Sequence, residues 1–230
     1  MDKTAIRDAS TVILVRDSQT RPRVLMGQRG ARAAFMPNKF VFPGGAVDPE
    51  DGRIALHPQM PANGQRQLAE QADPALVPAL QAAAIREVWE ETGLVLGTRG
   101  HWAQTPPPDW QSFAATGHLP SAGGFRFVFR AVTPPGRPRR FDARFFLADA
   151  EDLQGDPDDF SRASDELSQL QWIAIDEARS FDLPFITEVV LAEVTSLVQS
   201  GRAPDTVPFF RNDDEKSLFV RLSGASPLAR

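Results

Sequence analysis

The chain has 230 residues, of which 42% are hydrophobic and 24% are charged, and its formal net charge is -5. These values are ordinary for a globular protein made of one domain with an appendage. The acidic balance argues against an anionic polymer such as nucleic acid as partner. The absence of cysteine excludes disulfides, thiolate zinc sites and cysteine nucleophiles.

No segment has the pattern of a signal peptide or a membrane span. The first apolar run, Val12 to Val15, is too short for either role, and no later stretch approaches the required length. We therefore expect a cytoplasmic protein that does not use a membrane as partner.

The N-terminal third predicts a hairpin followed by loops. Alternating turn signals and apolar runs favour two paired strands, then a loop shaped by proline and glycine around one short strand, and then a polar region. In order, the predictions are strands at 9–16 and 23–29, a short strand at 39–42, and a loop-like segment at 51–78 with a short helix near 65–71.

The clearest helix is predicted at residues 80–92. Leu80, Ala84 and Val88 recur at helical spacing, and Gly93 stands where a helix favours glycine at its C-terminus. Strands with few helices between them favour an α+β sandwich over a doubly wound parallel sheet. The later predictions are a loop at 101–124, strands at 125–132, 143–147 and 170–175, a basic turn between the first two, a helix at 186–198 and an apolar run at 218–222.

Three glutamates lie close together in the segment REVWEETGL, residues 86–94. On a helix, Glu87, Glu90 and Glu91 share an arc of about 100°. Ionised carboxylates at this spacing raise one another's pKa and destabilise the helix, unless the face is merely solvated or a cation lies among them. Oxygen ligands of this kind suit Mg²⁺ or Mn²⁺.

The same segment resembles the second half of the Nudix box, G-x5-E-x7-R-E-U-x-E-E-x-G-U, where U is aliphatic. FVFPGG at 40–45 resembles the strand and glycine that begin the box. The resemblance covers about residues 9–198. It implies an αβα sandwich with a mixed sheet, and hydrolysis of a nucleoside diphosphate linked to another group. The matching positions are Arg86, Glu87, Val88, Glu90, Glu91, Gly93 and Leu94.

The box is interrupted in this chain. Forty residues separate Gly45 from Arg86, where the pattern has thirteen. Counting forward from Gly45 places the first glutamate of the box at Asp51, and counting back from Arg86 places it at Pro78. Glu50 and Asp48 are also nearby, and the role stays unassigned. We predict one domain over 1–230, with an insertion at about 51–78 and a C-terminal extension at about 200–230.

The resemblance implies the following site. Glu87, Glu90 and Glu91 hold Mg²⁺ or Mn²⁺ together with a backbone carbonyl near Gly44 or Gly45, and Arg86 orients a glutamate through a bidentate pair.

A further acidic residue precedes a predicted strand. Glu166 lies six residues before Trp172 and is a candidate to complete the metal site or act as base, with Glu87 as the other candidate base. A simple turn residue is the alternative interpretation, and Asp165 is the nearest rival.

The interruption itself resembles the peroxisomal coenzyme A diphosphatases and their bacterial relatives, as do RAAFMPNKFVFPGGAVDPED and RRFDARFFLA. That resemblance implies cleavage of coenzyme A or acyl-CoA to 3′,5′-ADP and (acyl-)4′-phosphopantetheine. Arginines near these segments are candidate contacts for the substrate's phosphates, and a solvated surface arginine is the alternative for each. They are Arg29, Arg32, Arg137, Arg139, Arg140 and Arg144.

Two other functions stay open. One keeps the chemistry and changes the substrate to ADP-ribose, another ADP-sugar, a dinucleotide or capped RNA. The other is a non-catalytic Nudix-fold module that binds nucleotides. The resemblance also suggests a homodimer.

Overall fold

The computed structural model describes residues 5–33, 35–212 and 217–225. Strands dominate the chain, and two long helices flank them. The strands are β1 (Ile6–Arg16), β2 (Arg23–Arg29), β3 (Phe40–Val41), β4 (Gly44–Ala46), β5 (Val95–Arg99), β6 (His118–Pro120), β7 (Arg126–Val132), β8 (Arg140–Asp149), β9 (Leu153–Gln154), β10 (Leu167–Ala174), β11 (Val207–Asn212) and β12 (Ser217–Leu222). The helices are α1 (Ala62–Ala69), α2 (Leu76–Thr92), α3 (Gln111–Ala114) and α4 (Phe185–Ser200).

A mixed sheet organises these elements. Its main path runs β10-β2-β1-β8-β7-β11-β12, while β3 pairs with β2 and β4 pairs with β1. The pairs β1–β8 and β7–β11 are parallel, and the others in this sheet are antiparallel. A smaller sheet has the order β6-β5-β9. The mixture of directions confirms the predicted α+β class.

Helices cover both faces of the main sheet. Val12 and Leu14 of β1 join the core that includes α2, whereas Ile13 and Val15 join the core that includes α4. A strand buried on both faces reads as a continuous apolar run, which explains why residues 12–15 show no polar alternation. Among the helices within the described ranges, none is both long and apolar enough to cross a membrane.

Helix α2 begins at Leu76, one turn earlier than predicted. Pro78 lies in its first turn, where backbone N–H groups have no acceptor within the helix, so the missing donor of proline costs little there. The predicted end is confirmed, because Gly93 caps the helix with φ of 74°. Ala84 and Val88 are fully buried, so this face packs on the core as expected.

Several short strands and helices were not predicted from the sequence. The segment 101–124 contains α3 and β6 instead of a loop throughout, β8 begins at Arg140 instead of residue 143, and β5 and β11 were not predicted. Gly97 in β5 and Pro208 in β11 weaken the local strand signal. Pairing with strands distant in sequence compensates for this weakness, and a local pattern cannot reveal such pairing.

Half of the residues in the predicted insertion at 51–78 are helical. It forms a 3-10 turn at Asp51–Arg53, then α1, and then the first turn of α2. Gln67 is buried and donates through Nε2 to the carbonyl oxygens of Pro204 and Asp205, at 3.2 and 3.0 Å. Glu70 Oε2 accepts hydrogen bonds from the backbone N–H groups of Ser223 and Gly224, both at 2.7 Å. The insertion and the C-terminal extension therefore hold each other in place.

Replacement of Glu70 by alanine should weaken the contact between the insertion and the C-terminal extension. The carboxylate accepts two backbone N–H groups, and their loss is expected to lower the free energy of unfolding by about 1–2 kcal/mol. Urea titration would measure this change, and limited proteolysis should cut the chain beyond residue 200 faster. The exposed Glu151→Ala serves as control, and equal stability of the two variants would contradict the interpretation.

Candidate active site

The guanidinium of Arg86 lies at the centre of a buried ion cluster. Its Nε and Nη2 donate to the two carboxylate oxygens of Asp51, at 3.0 and 3.1 Å. Its Nη1 donates to Glu87 Oε1 at 2.9 Å and to Glu90 Oε2 at 3.0 Å, and Nη2 also donates to the carbonyl oxygen of Ala46 at 2.9 Å. One arginine thus connects three acidic side chains and the end of β4.

This cluster explains part of how the glutamates tolerate each other. Burial opposes the charge on Arg86, but the hydrogen bonds to Asp51 and the charges of Glu87 and Glu90 hold the pKa of Arg86 above its ordinary value. The predicted bidentate pair exists, but its carboxylate belongs to Asp51, which is 1% exposed, and not to a glutamate of the helix. The forward count from Gly45 therefore identifies the buried acidic partner of Arg86.

Glu91 is the most deeply buried of the three glutamates. Its residue is 1% exposed, and its Oε2 accepts a hydrogen bond from the Gly44 N–H at 2.7 Å. Its Oε1 is buried and has no hydrogen-bond partner among the described residues. Burial, followed by the charge of Glu87, raises the pKa of Glu91 well above its ordinary value. The ionised form of this carboxylate is thus only partly compensated by the protein.

Glu87 lies against the glycine strand beside it. Burial raises the pKa of Glu87 to about 7, although the charge of Arg86 opposes this shift. A Cβ atom at Gly45 would overlap the Glu87 carboxylate, and one at Gly44 would overlap the carbonyl oxygen of Ser10. Glycine is therefore required here because backbone and carboxylate approach so closely, and the FVFPGG sequence serves the packing of α2 on β4.

Glu166 joins this group from the beginning of β10. Its Oε1 accepts a hydrogen bond from Arg29 Nη2 at 2.9 Å, and its charge contributes to the raised pKa of both Glu87 and Glu91. The Ser164 N–H donates to the carbonyl oxygen of Glu90 at 3.0 Å, which ties this segment to α2. The Glu166 side chain is 54% exposed, so it lies at the solvent side of the buried pair.

The donor set fits a hard divalent cation. Across the part of the chain that the structure describes, no three Asp, Glu or His side chains are already arranged as metal ligands, and Arg86 Nη1 contacts both Glu87 and Glu90. Even so, Glu91 Oε1 has no partner within the residues that the structure describes, and burial raises the pKa of Glu87. A cation bound among the carboxylate oxygens would relieve both conditions.

The candidate arginines lie elsewhere. Arg32 is exposed in the loop after β2, whereas Arg140 and Arg144 are buried in β8. Arg144 Nη1 donates to Asp8 Oδ1 and to the carbonyl oxygen of Asp142, and Arg140 donates to carbonyl oxygens of β7–β8 and β11 neighbours. Both hold strands together, and their role in substrate binding stays a prediction.

Two residues of the cluster were missed or left open by sequence reasoning. Asp51 was left unassigned, although its spacing from Gly45 follows the pattern. The hydrogen bond from the Gly44 N–H to Glu91 had no signal in the sequence. A backbone carbonyl near Gly44 or Gly45 as a metal ligand stays a prediction. Arg29, a candidate for phosphate binding, pairs with Glu166 in the structure.

The comparisons with known proteins agree with this geometry. A family profile described as NUDIX domain matches residues 77–194, which is half of the chain. "Putative nudix hydrolase 7" of Caenorhabditis elegans is 31% identical over 188 residues, which cover 75% of this chain and 54% of that protein. This chain therefore spans about half the length of that relative.

A solved structure shows the same arrangement over most of the chain. The NUDIX hydrolase from Alicyclobacillus acidocaldarius is 29% identical, with a TM-score of 0.62 over 85% of this chain and 93% of that one. The profile match, the shared fold and the complete set of helix glutamates lead to one conclusion: the chain belongs to the Nudix hydrolase family.

Proposed function

We propose that this protein hydrolyses the diphosphate bond of a nucleoside diphosphate linked to another group, and that it requires a divalent metal ion. One observation carries the proposal: Glu91 is buried beside Glu87, within reach of the charge of Glu166, and its Oε1 has no hydrogen-bond partner in the described ranges of the chain. Members of this family generally use divalent cations. Bound among these oxygens, such an ion would neutralise phosphate charge and lower the pKa of a water molecule.

The chain's own residues have separate tasks in this proposal. Glu87 and Glu91 provide buried carboxylate oxygens fixed by packing against Gly45 and by the Gly44 N–H. Arg86 fixes the rotamer of Glu87 and neutralises part of its charge, so it positions a ligand and does not itself contact the reacting atoms. This division explains why a helix with adjacent acids remains stable.

Two carboxylates remain candidates for the base that accepts a proton from the attacking water. Glu166 is exposed and is oriented by Arg29, so it can reach a water molecule at the mouth of the site. Glu87 is buried and already engaged by Arg86. We therefore favour Glu166 as the base and Glu87 as a ligand.

For the substrate we propose coenzyme A or an acyl-CoA. The support is the interrupted box and the segments around it, RAAFMPNKFVFPGGAVDPED and RRFDARFFLA. ADP-ribose, another ADP-sugar, a dinucleotide and capped RNA are the other substrates to test. A non-catalytic module is disfavoured because the three helix glutamates are all present. In addition, the buried Oε1 of Glu91 has no hydrogen-bond partner among the described residues.

A substrate panel tests the proposal. Coenzyme A, acetyl-CoA, ADP-ribose, NADH and a diadenosine polyphosphate would be incubated with the protein, with Mg²⁺, with Mn²⁺ or with a chelator. We expect 3′,5′-ADP and 4′-phosphopantetheine from coenzyme A, only with metal, as resolved by chromatography. Faster cleavage of ADP-ribose would remove coenzyme A from the proposal, and no cleavage of any compound would favour a binding module.

The Glu91→Gln variant should lose turnover while staying folded. Glutamine keeps the shape of the side chain and an oxygen for the Gly44 N–H, but it removes the charge that holds a cation. Because metal contacts contribute several kcal/mol to the transition state, we expect kcat to fall by about 100-fold or more. Glu151→Gln is the control, and a Glu91→Gln enzyme with near-normal kcat would remove Glu91 from the metal site.

A double-mutant cycle tests the pairing of Asp51 with Arg86. Asp51→Asn alone should lower the free energy of unfolding by about 3 kcal/mol, because it leaves a buried guanidinium partly unpaired. The double variant Asp51→Asn, Arg86→Met should lower the free energy of unfolding by less than the sum of the two single substitutions. Urea titrations should give a coupling energy of about 1–3 kcal/mol. Additive effects would show that the two side chains do not act as a unit.

A further inference from the structure

The strand β10, which begins directly after Glu166, contains a bulge near its start. Ser168 pairs with Gln28 of β2, whereas Gln171 pairs with Met26, so two residues of β10 stand opposite one residue of β2 between these pairs. A bulge shifts all residues on one side of it by one position, and bulges often direct a side chain at the edge of an active site. The bulge therefore decides which part of β2 lies beside the start of β10.

The backbone at the bulge is strained, and side chains tie it to β2. Gln169 has φ of 52°, in the left-handed region that residues other than glycine rarely adopt. Its Nε2 donates to Gln28 Oε1 at 2.8 Å, and Gln28 Nε2 donates to the carbonyl oxygen of Asn38 at 3.0 Å. Ser168 Oγ donates to the carbonyl oxygen of Gln28 at 3.1 Å. A strained conformation that neighbouring contacts maintain in this way is typical of a functional site.

Gly27 lies opposite the bulge, where there is no space for a side chain. A Cβ atom at Gly27 would lie 2.8 Å from Leu167 Cβ and 2.9 Å from Leu170 Cδ2, which is too close for carbon atoms that are not bonded. The Cβ atom of Leu167 is attached directly to the backbone, so relief of this overlap would displace the backbone that follows Glu166. Gly27 thus influences the position of Glu166 without a side chain that could touch the substrate.

The register that the bulge creates brings Glu166 to its partner at the candidate site. Leu167 pairs with Arg29 across the two strands, and Arg29 Nη2 donates to Glu166 Oε1 at 2.9 Å. The charges of Glu166 and Arg29 both act on the buried Glu91, with opposite effects on its pKa, which burial mainly determines. Without the bulge, Arg29 would pair with Ser168, and Glu166 would lie about 3.3 Å farther along β2.

We propose that Gly27 and Gln28 are positioning residues for the reaction, because they accommodate the bulge that places Glu166. This role rests on the hydrolysis proposed above, with Glu166 as the base. In that step the water oxygen bonds to phosphorus, its proton passes to the Glu166 carboxylate, and the bond from phosphorus to the leaving phosphate oxygen breaks. Gly27 provides the room for the bulge, and Gln28 holds its strained backbone. Neither residue exchanges a proton itself.

Steady-state kinetics of Gly27→Ala test this role, with the substrate that the panel above identifies. We expect kcat to fall by about 10- to 100-fold, because a displaced carboxylate meets the water poorly, and KM to stay within about twofold. Gly30→Ala is the matched control, since a Cβ atom at Gly30 would have no atom within 4 Å, and its kcat and KM should be unchanged. Urea titration of both variants would establish that each is folded.

A double-mutant cycle tests whether Gly27 acts through Glu166. Glu166→Gln alone should lower kcat by about 100-fold or more, since the base is lost. In that background Gly27→Ala should cause no further loss, because the carboxylate that it would displace is already absent. Gln28→Ala provides a second test if Gly27→Ala folds poorly. It removes the contact with Gln169 and should lower kcat by about 3- to 10-fold, again only when Glu166 is present.

Several results would overturn the positioning role while hydrolysis itself persists. They are normal kcat in Gly27→Ala or, where that variant is unfolded, in Gln28→Ala; an equal loss of kcat in Gly27→Ala and Gly30→Ala; a raised KM with normal kcat; multiplied losses in the double variant with Glu166→Gln; and near-normal kcat in Glu166→Gln alone. Failure of the unmodified chain to cleave any compound of the panel would instead overturn the proposed function, and the positioning role with it.

Discussion

The contact between Arg86 and Asp51 is the interaction on which the candidate site depends. A guanidinium and a carboxylate, both almost fully buried, meet through two hydrogen bonds of 3.0 and 3.1 Å. Neither group is stable alone in this environment, because an unpaired buried charge costs several kcal/mol. Their pairing fixes α2 against the segment that follows β4, and it leaves Nη1 of Arg86 free to contact Glu87 and Glu90.

This pairing also explains how the box tolerates its interruption. Asp51 begins the 3-10 turn that follows β4, at the spacing from Gly45 that the uninterrupted pattern has, and Arg86 lies in α2. The additional residues leave the site after Asp51 and return through the first turn of α2, so they do not separate the two charged groups. The insertion gains its own stability elsewhere, by burying Met60 and Leu68 and by its hydrogen bonds with the C-terminal extension.

The sequence could predict those features that depend on local pattern. The glutamates of α2 and the capping Gly93 follow from helical spacing, and the β1–β2 hairpin follows from a turn between two apolar runs. Asp51 could not be assigned as the first acidic residue of the box, because the count forward from Gly45 and the count back from Arg86 give different positions. The burial of Asp51 is also not visible in the sequence. Strand β11 had no clear signal, since its order comes from pairing with β7 and β12. Arg140 and Arg144 read as surface residues because their partners, such as Asp8, are distant in the chain.

The positions of the arginines constrain how a diphosphate can be held. Arg144 is committed to Asp8 and Asp142, and β1 separates it from the glycine strand. A positive side chain on the glutamate side comes instead from the end of β2, where Arg29 contacts Glu166. The glutamates and the arginine-rich strands thus belong to opposite sides of β1.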